Sequence, residues 1–336
     1  GEGSGGNSDG VKVEEGVDAA SSDGVHLFKP HGRPVTHLEW DGSGQRLYSA
    51  SYDGSVRCFD VETQTFEEVF ATYDDSQNWK KKLGYGLDTG YRYWVQHACL
   101  DTRFGGGDDK CLFLATSRGT VVHADLRLRE KITFNEELSE KKINSVSLHP
   151  NGHTLATAGL ETVVKLWDIR TFGQTKKGRG GKTSKLGPGE PSTSSEPFAI
   201  QGAGKSINSA FFSPSGSSLL TTTMSNSLDL TSDFHLQSGR VKPTTRIRHD
   251  NHTGRWLSTL MARWHPGFVG EDELFVVGSM RRPRTIEIFE GHKGKRIKDV
   301  QGEALTAVAS RCCFHPRTDR LVVVGGNSSG RVTIAR

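Results

Sequence analysis

The stretch from Arg240 to Lys298 carries 13 Lys/Arg against six Asp/Glu, grouped as Arg246-Ile247-Arg248-His249, Thr253-Gly254-Arg255-Trp256, Arg281-Arg282-Pro283-Arg284 and Lys293-Gly294-Lys295-Arg296. A planar guanidinium presents a fork of donors that matches phosphate oxygens, and a neighbouring aromatic ring can stack on a base or wedge between two. Residues of these types at this density point to a phosphate-tracking surface. The opposing reading leaves the arginines solvated and sends Trp256 into a core strand. The residues alone weigh the two evenly.

A second pattern is Asp125-Leu126-Arg127 followed by Trp167-Asp168-Ile169-Arg170. An arginine two residues beyond a strand-ending aspartate should point out from one rim of the fold, so two in succession predict a paired docking patch formed by Asp125, Arg127, Asp168 and Arg170. Ion pairing confined to each repeat is the alternative.

Catalytic constellations do not emerge. Gly1-Glu2-Gly3-Ser4-Gly5-Gly6 matches the letters of a dinucleotide fingerprint, but no strand precedes it and no helix follows. Gly204-Lys205-Ser206 resembles the end of a phosphate-binding loop, yet Ala199 stands where that loop needs its first glycine. The 13 histidines include no His-Glu-x-x-His, and His149 with His153 and His249 with His252 fall on turn or loop sequence. A nucleophile elbow is absent as well. The expectation is a protein that is not an enzyme and has neither metal nor cofactor.

The framework that must position these residues is a repeat. A short apolar strand, a His-Pro or Ser-Pro step, a turn and a second strand recur as Val146-Ser147-Leu148-His149-Pro150-Asn151-Gly152, Ala210-Phe211-Phe212-Ser213-Pro214-Ser215-Gly216, Ala262-Arg263-Trp264-His265-Pro266-Gly267 and Cys312-Cys313-Phe314-His315-Pro316. The residues before proline are 64, 52 and 50 positions apart. A degenerate first copy reads Leu38-Glu39-Trp40-Asp41-Gly42-Ser43-Gly44. Each copy leads into small residues, a tight turn and an alternating strand, most clearly in Ser49-Ala50-Ser51-Tyr52-Asp53-Gly54-Ser55-Val56-Arg57-Cys58-Phe59-Asp60 and in Ala156-Thr157-Ala158-Gly159 running to Trp167-Asp168. These are WD40 repeats, each a four-stranded propeller blade. A blade cannot bury both faces alone. The predicted class is therefore an all-β WD40 β-propeller, with six blades visible and a seventh expected in the complete protein.

Charge and composition set the domain plan. The chain has 336 residues, 34% of them hydrophobic, and a net charge of +4. Residues 1–24 contribute −5, so the remainder is basic at +9. They read as an acidic Gly/Ser-rich linker without fixed structure, and 25–336 as the propeller. Between the third and fourth blades, Gly173 to Pro197 combines five lysines and arginines with Gly, Ser, Thr and Pro, and reads as a basic disordered loop. Apolar runs such as Leu321-Val322-Val323-Val324 are strand-sized, far short of the roughly 20 residues of a spanning helix. The N-terminal stretch has no signal-peptide pattern, so the expected setting is intracellular. Five cysteines without a Cys-x-x-Cys spacing read as reduced thiols.

From about Leu27-Phe28-Lys29-Pro30-His31 to the end, the chain resembles the WD-repeat DNA-damage-binding family, which includes the small subunit of the damage-specific DNA-binding complex and its chromatin-associated relatives. The residues that carry this likeness are Ser49 to Cys58, Phe66-Glu67-Glu68-Val69, Thr253-Gly254-Arg255-Trp256-Leu257, Val277-Gly278-Ser279-Met280-Arg281-Arg282-Pro283-Arg284 and Gly325-Gly326-Asn327-Ser328-Ser329-Gly330. The last three are closer to the "changed mutation rate" branch. The resemblance implies a nuclear seven-bladed propeller that binds DNA, in some members preferring ultraviolet-damaged duplex. It also implies docking, through the Asp-x-Arg boxes, to the large damage-binding subunit of a cullin-type ubiquitin ligase, with chromatin proteins as further partners and no membrane. Ala124 replaces the usual aromatic of the first box. Gly254-Arg255-Trp256 stands where the small subunit inserts a Phe-Gln-His wedge, so DNA binding is implied here without that wedge. Charge and resemblance together assign DNA contact to Lys29, His31, Arg248, Arg255, Arg281, Arg282 and Arg284, with Trp256 as an aromatic contact.

Overall fold

Short segments broken by turns, the inner ones buried along nearly their whole length, give six sheets among the described residues of a computed structural model: 27–72, 93–104, 110–172, 195–232, 234, 239–254, 257–270, 273–303, 305–316 and 321–336. The chain divides into two compact units, the first ending at Val95 and the second starting at Gln96.

The first unit holds one blade: β1 (Val35–Trp40), β2 (Arg46–Ser51), β3 (Ser55–Asp60) and β4 (Thr65–Ala71), hydrogen-bonded in chain order. Its Asp53-Gly54 turn uses the positive φ of Gly54, +85°, to reverse the chain. Tyr48, Ala50, Val56 and Cys58 are buried. Phe28, in the segment leading to β1, packs on Phe59 and Phe66 at centroid distances of 4.9 and 5.6 Å.

The strands β5 (Val95–Leu100), β6 (Cys111–Thr116), β7 (Thr120–Asp125) and β8 (Ile132–Glu137) form the second blade, which lies in the second unit save for Val95 at its start. The third contains β9 (Ile143–Leu148), β10 (Thr154–Gly159), β11 (Val163–Asp168) and β12 (Ala199–Gly202). The fourth has β13 (Ile207–Phe212), β14 (Ser218–Thr223), β15 (Ser227–Ser232) and β17 (Thr245–Arg248). Between β15 and β17 the chain detours to the third blade, where β16 (Gly239–Val241) pairs parallel to β12 as a fifth strand. The fifth blade is β18 (Arg263–Trp264), β19 (Leu274–Ser279), β20 (Thr285–Glu290) and β21 (Arg296–Val300). The sixth has three strands, β22 (Ala309–Phe314), β23 (Val323–Asn327) and β24 (Val332–Ala335). The fold is thus an all-β WD-repeat β-propeller with six blades, whose third and sixth depart from the uniform four strands expected.

Within the second unit, apolar cores lie between consecutive blades. Phe113 of β6 packs with Leu155 and Trp167 of the third blade, and Val164 and Leu166 pack with Ile207 and Phe212 of the fourth. Each such large side chain contributes about 1.5–3 kcal/mol on burial. Polar ties repeat with the sequence. In the two Ile-Asn-Ser openings, Asn144 Nδ2 donates to the Ile207 carbonyl at 2.8 Å and Asn208 Nδ2 donates to the Leu260 carbonyl at 3.0 Å, each reaching the next blade. Crowding explains the small residues: a Cβ at Gly278 would fall 1.8 Å from the Ala309 carbonyl oxygen. Burial pushes the thiols of Cys58 and Cys111 up to about 11 and that of Cys312 to about 12, which keeps them protonated, and all five cysteines are free.

Candidate functional site

Antiparallel order gives each blade two ends. One collects the end of the first strand, the start of the second and the end of the third; the other collects the turn between second and third strands and the exit of the fourth. The Asp-x-Arg pairs lie at the first of these ends and the Arg248 and Arg281–Arg284 segments at the other, while Lys293-Gly294-Lys295-Arg296, between β20 and β21, falls at the first.

At the first end, Asp125 closes β7 and Arg127 folds back on it, with Nε 2.8 Å from Oδ1 and Nη2 2.7 Å from Oδ2. The Arg127 amide also donates to Asp125 Oδ1 at 3.0 Å, and Nη2 reaches Cys111 Sγ at 3.4 Å. These hydrogen bonds from Arg127 hold the Asp125 carboxyl well below its usual range. Arg170 repeats the geometry on Asp168, with Nε–Oδ1 at 2.9 Å and Nη2–Oδ2 at 2.6 Å, while Asp168 caps the 3₁₀ turn Ile169–Thr171. The side chains of Arg127 and Arg170 are 43% and 66% exposed. Ion pairing within the repeat and outward exposure therefore coexist.

A third Asp-x-Arg pair, Asp101 with Arg103, joins the same end of the second blade. Arg103 Nε donates to Asp101 Oδ1 at 2.8 Å and Nη2 to Oδ2, while His123 Nε2 lies 2.9 Å from Oδ2. Burial alone would raise the Asp101 pKa; hydrogen bonds from Arg103 and His123 override it and bring it to about 2. Its spacing is the same as in the other two boxes and could have flagged it, but it follows a first strand rather than a Trp-Asp ending, where the repeat gives no reason to look.

At the opposite end, the loop after β19 carries Arg281, Arg282 and Arg284, and β17 ends in Arg248 beside His249. Buried Glu287 of β20 draws these segments together: Arg281 Nη1 is 3.5 Å, Arg296 Nη1 3.4 Å and His249 Nε2 3.9 Å from its carboxylate. Burial lowers the His249 pKa. Asn251 fastens the loop after β17, donating from Nδ2 to the Thr223 and Ser227 carbonyls at 2.8 and 3.0 Å. Arg248 and Arg282 are exposed, and their side chains have no ion-pair or hydrogen-bond partner among the described residues. Arg284 is half-buried and braces its own loop, Nη1 donating to the Met280 carbonyl at 2.8 Å.

The remaining assignments divide. Lys29 is exposed in the first unit. His31, expected at a phosphate, is instead buried, with Nδ1 2.9 Å from Asp53 Oδ2 and Nε2 2.8 Å from Ser49 Oγ, so both ring nitrogens serve the first blade. Arg255 and Trp256 lie outside the described residues, as do 1–26 and all but the last three residues of the basic loop. Among the described residues no group of His, Cys, Asp and Glu could hold a metal ion.

The WD domain, G-beta repeat family profile matches residues 22–60 and 131–168, the first and third blades' copies of the repeat. WD repeat-containing protein 76 of Mus musculus is 31% identical over 317 residues, 94% of this chain and 43% of the mouse protein; its Xenopus laevis counterpart is 30% identical over 323 residues, 95% of this chain and 47% of the frog protein. DNA damage-binding protein CMR1 of Chaetomium globosum is 27% identical over 312 residues, 92% of this chain and 54% of the fungal protein. The chain is a WD-repeat protein related to these proteins. It spans about half the length of the curated relatives it matches. As a WD-repeat protein it shares the fold of a family of binding proteins, typically non-enzymatic.

Proposed function

We propose that this WD-repeat protein binds DNA in the nucleus, with preference for damaged duplex, through the end of the fourth and fifth blades that carries Arg248, Arg281 and Arg282. The observation that carries this reading is the exposure of Arg248 and Arg282 next to Arg281, which shares one buried carboxylate with two other groups. Such guanidinium groups displace condensed counterions when they meet phosphates, which drives binding and makes it salt-dependent. A relative named for damage binding supports the choice of DNA over other polyanions. Lys29 is a further exposed cation, in the first unit. Fluorescence anisotropy with undamaged and ultraviolet-treated duplexes at two salt concentrations tests the reading: binding should weaken steeply with salt and favour treated duplex. An Arg248→Ala, Arg281→Ala, Arg282→Ala variant with unchanged affinity and salt slope would refute the surface assignment.

The Asp125–Arg127 and Asp168–Arg170 pairs favour a second, compatible activity: docking to the large damage-binding subunit of a cullin-type ubiquitin ligase, with chromatin proteins as cargo. The two pairs stand at the same end of adjacent blades, with exposed guanidinium groups held in one orientation. Charge reversal at Arg127 and Arg170 should abolish copurification with that subunit.

A further inference from the structure

We infer that the docking surface is a row of three aspartate-locked arginines, with Arg103 as its middle member, and that it takes a protein partner through main-chain carbonyl oxygens. This rests on the docking reading above.

A continuous path of hydrogen bonds and packing places Arg103 between the two boxes. On one side, the Asp101 amide donates to the Cys111 carbonyl at 2.8 Å, and Arg127 reaches the Cys111 sulfur, so the Asp101 and Asp125 pairs flank one residue. On the other side, the stem of Arg103 lies on Gly152 in the third blade: a Cβ there would fall 2.8 Å from Arg103 Cγ. Gly152 has φ +73°, so two constraints exclude a side chain at this position. The next residue, His153, accepts the Ile169 amide at its carbonyl at 2.9 Å, which joins the turn to the Asp168–Arg170 box. Arg103 thus bridges the notch between the second and third blades, with its side chain 30% exposed.

Each arginine of the row carries its own counter-ion, so each pair is neutral as a unit. Phosphate binding would gain little from such pairs, because little net charge is available to displace counterions. What the lock supplies is orientation. A guanidinium already fixed by a bidentate carboxylate loses less freedom when it meets a second acceptor. Neutral, pre-oriented donors match uncharged oxygen acceptors, and the end of a helix offers up to four carbonyls without intrahelical partners.

The test uses the whole chain and the purified large damage-binding subunit, by calorimetry at two salt concentrations, with melting temperature and duplex affinity measured on every variant. Arg103→Lys keeps the charge beside Asp101 and removes the fork; about a tenfold loss of affinity for the subunit is expected, with duplex affinity unchanged and melting lowered only slightly, because the lysine still pairs with the buried Asp101 carboxylate. In the unaltered protein, hydrogen exchange should slow at Asp101–Arg103 and His149–His153 on complex formation, a readout independent of any substitution. Binding should change by less than about threefold across the salt range, since the pairs are neutral. If Arg127→Glu with Arg170→Glu abolishes binding while Arg103→Lys and the exchange at both segments do nothing, the docking reading stands and the role of Arg103 is refuted. Steep salt dependence would overturn the carbonyl chemistry, and retained binding by the doubly reversed variant would overturn docking and this inference together.

Discussion

One end of the second and third blades and the opposite end of the fourth and fifth hold arginines under different rules. Arg103, Arg127 and Arg170 each sit bidentate on an aspartate two residues earlier in the chain, that of Arg103 being shared with His123. On the opposite end, Arg281 shares the single carboxylate of Glu287 with Arg296 and His249, and Arg248 and Arg282 lack a partner among the described residues. The number of arginines therefore says little about the field a surface projects. A locked arginine is a directional donor with little net charge, whereas an unlocked one is a mobile cation that attracts polyanions.

The contrast can be broken most directly by truncation. Replacing Arg248, Arg281 and Arg282 by alanine should lower duplex affinity by about 100-fold or more and reduce the log–log salt slope by about 3, one for each phosphate that is no longer neutralised. Glutamine at Arg127 and Arg170 should leave that slope in place, and equal losses from the two sets would end the distinction. Arg284→Met sharpens the boundary between the classes. Because Arg284 donates to the Met280 carbonyl, its loss should cost about 1 kcal/mol in a denaturation curve and leave the salt slope alone. A slope change of a full unit would reassign Arg284 to the open class.

A smaller effect should appear in acid. Asp101 has its pKa depressed to about 2, against an ordinary aspartate value of about 3.9, so it contributes stability above the ordinary value that is lost as pH falls through about 2. Asp101→Asn should therefore flatten the stability curve between about pH 4 and pH 2, by about 1 kcal/mol once solvent screening is allowed for. Urea titrations across that window read it directly. The smallest change is expected from Asp168→Asn, which releases Arg170 from its carboxylate: duplex affinity should rise by less than about threefold and the salt slope by less than about one. No rise at all would show that the lock does not limit the charge Arg170 projects.

The inner strands were legible because their chemistry is local. The phrases before His149-Pro150, Ser213-Pro214, His265-Pro266 and His315-Pro316 all run into first strands, and the Trp167-Asp168 ending closes a third strand as the repeat requires. Asp125–Arg127 and Asp168–Arg170 were legible for the same reason, since donor and acceptor lie two residues apart. What escaped depends on distant partners. His31 looks like a basic residue beside Lys29 until Asp53 and Ser49, some 20 positions on, claim both of its nitrogens. Arg103 has the right spacing, but its place in the row comes from Gly152 in another blade. Arg282 and Arg284 are neighbours of the same type, and only the direction of the loop's carbonyls separates a solvent-facing cation from a brace.

The β16 detour has a consequence for cooperativity. A parallel partner for β12 comes from chain that has already built three strands of the fourth blade and must still return to supply its last. Peeling β12 from the third blade also strips β16 and slackens the tether of β17, so the two blades should open as one unit rather than fray separately. In hydrogen exchange, amides of Ala199–Gly202 and Thr245–Arg248 should share a single opening free energy, which makes this pair of blades a foldon set by chain routing rather than by core size.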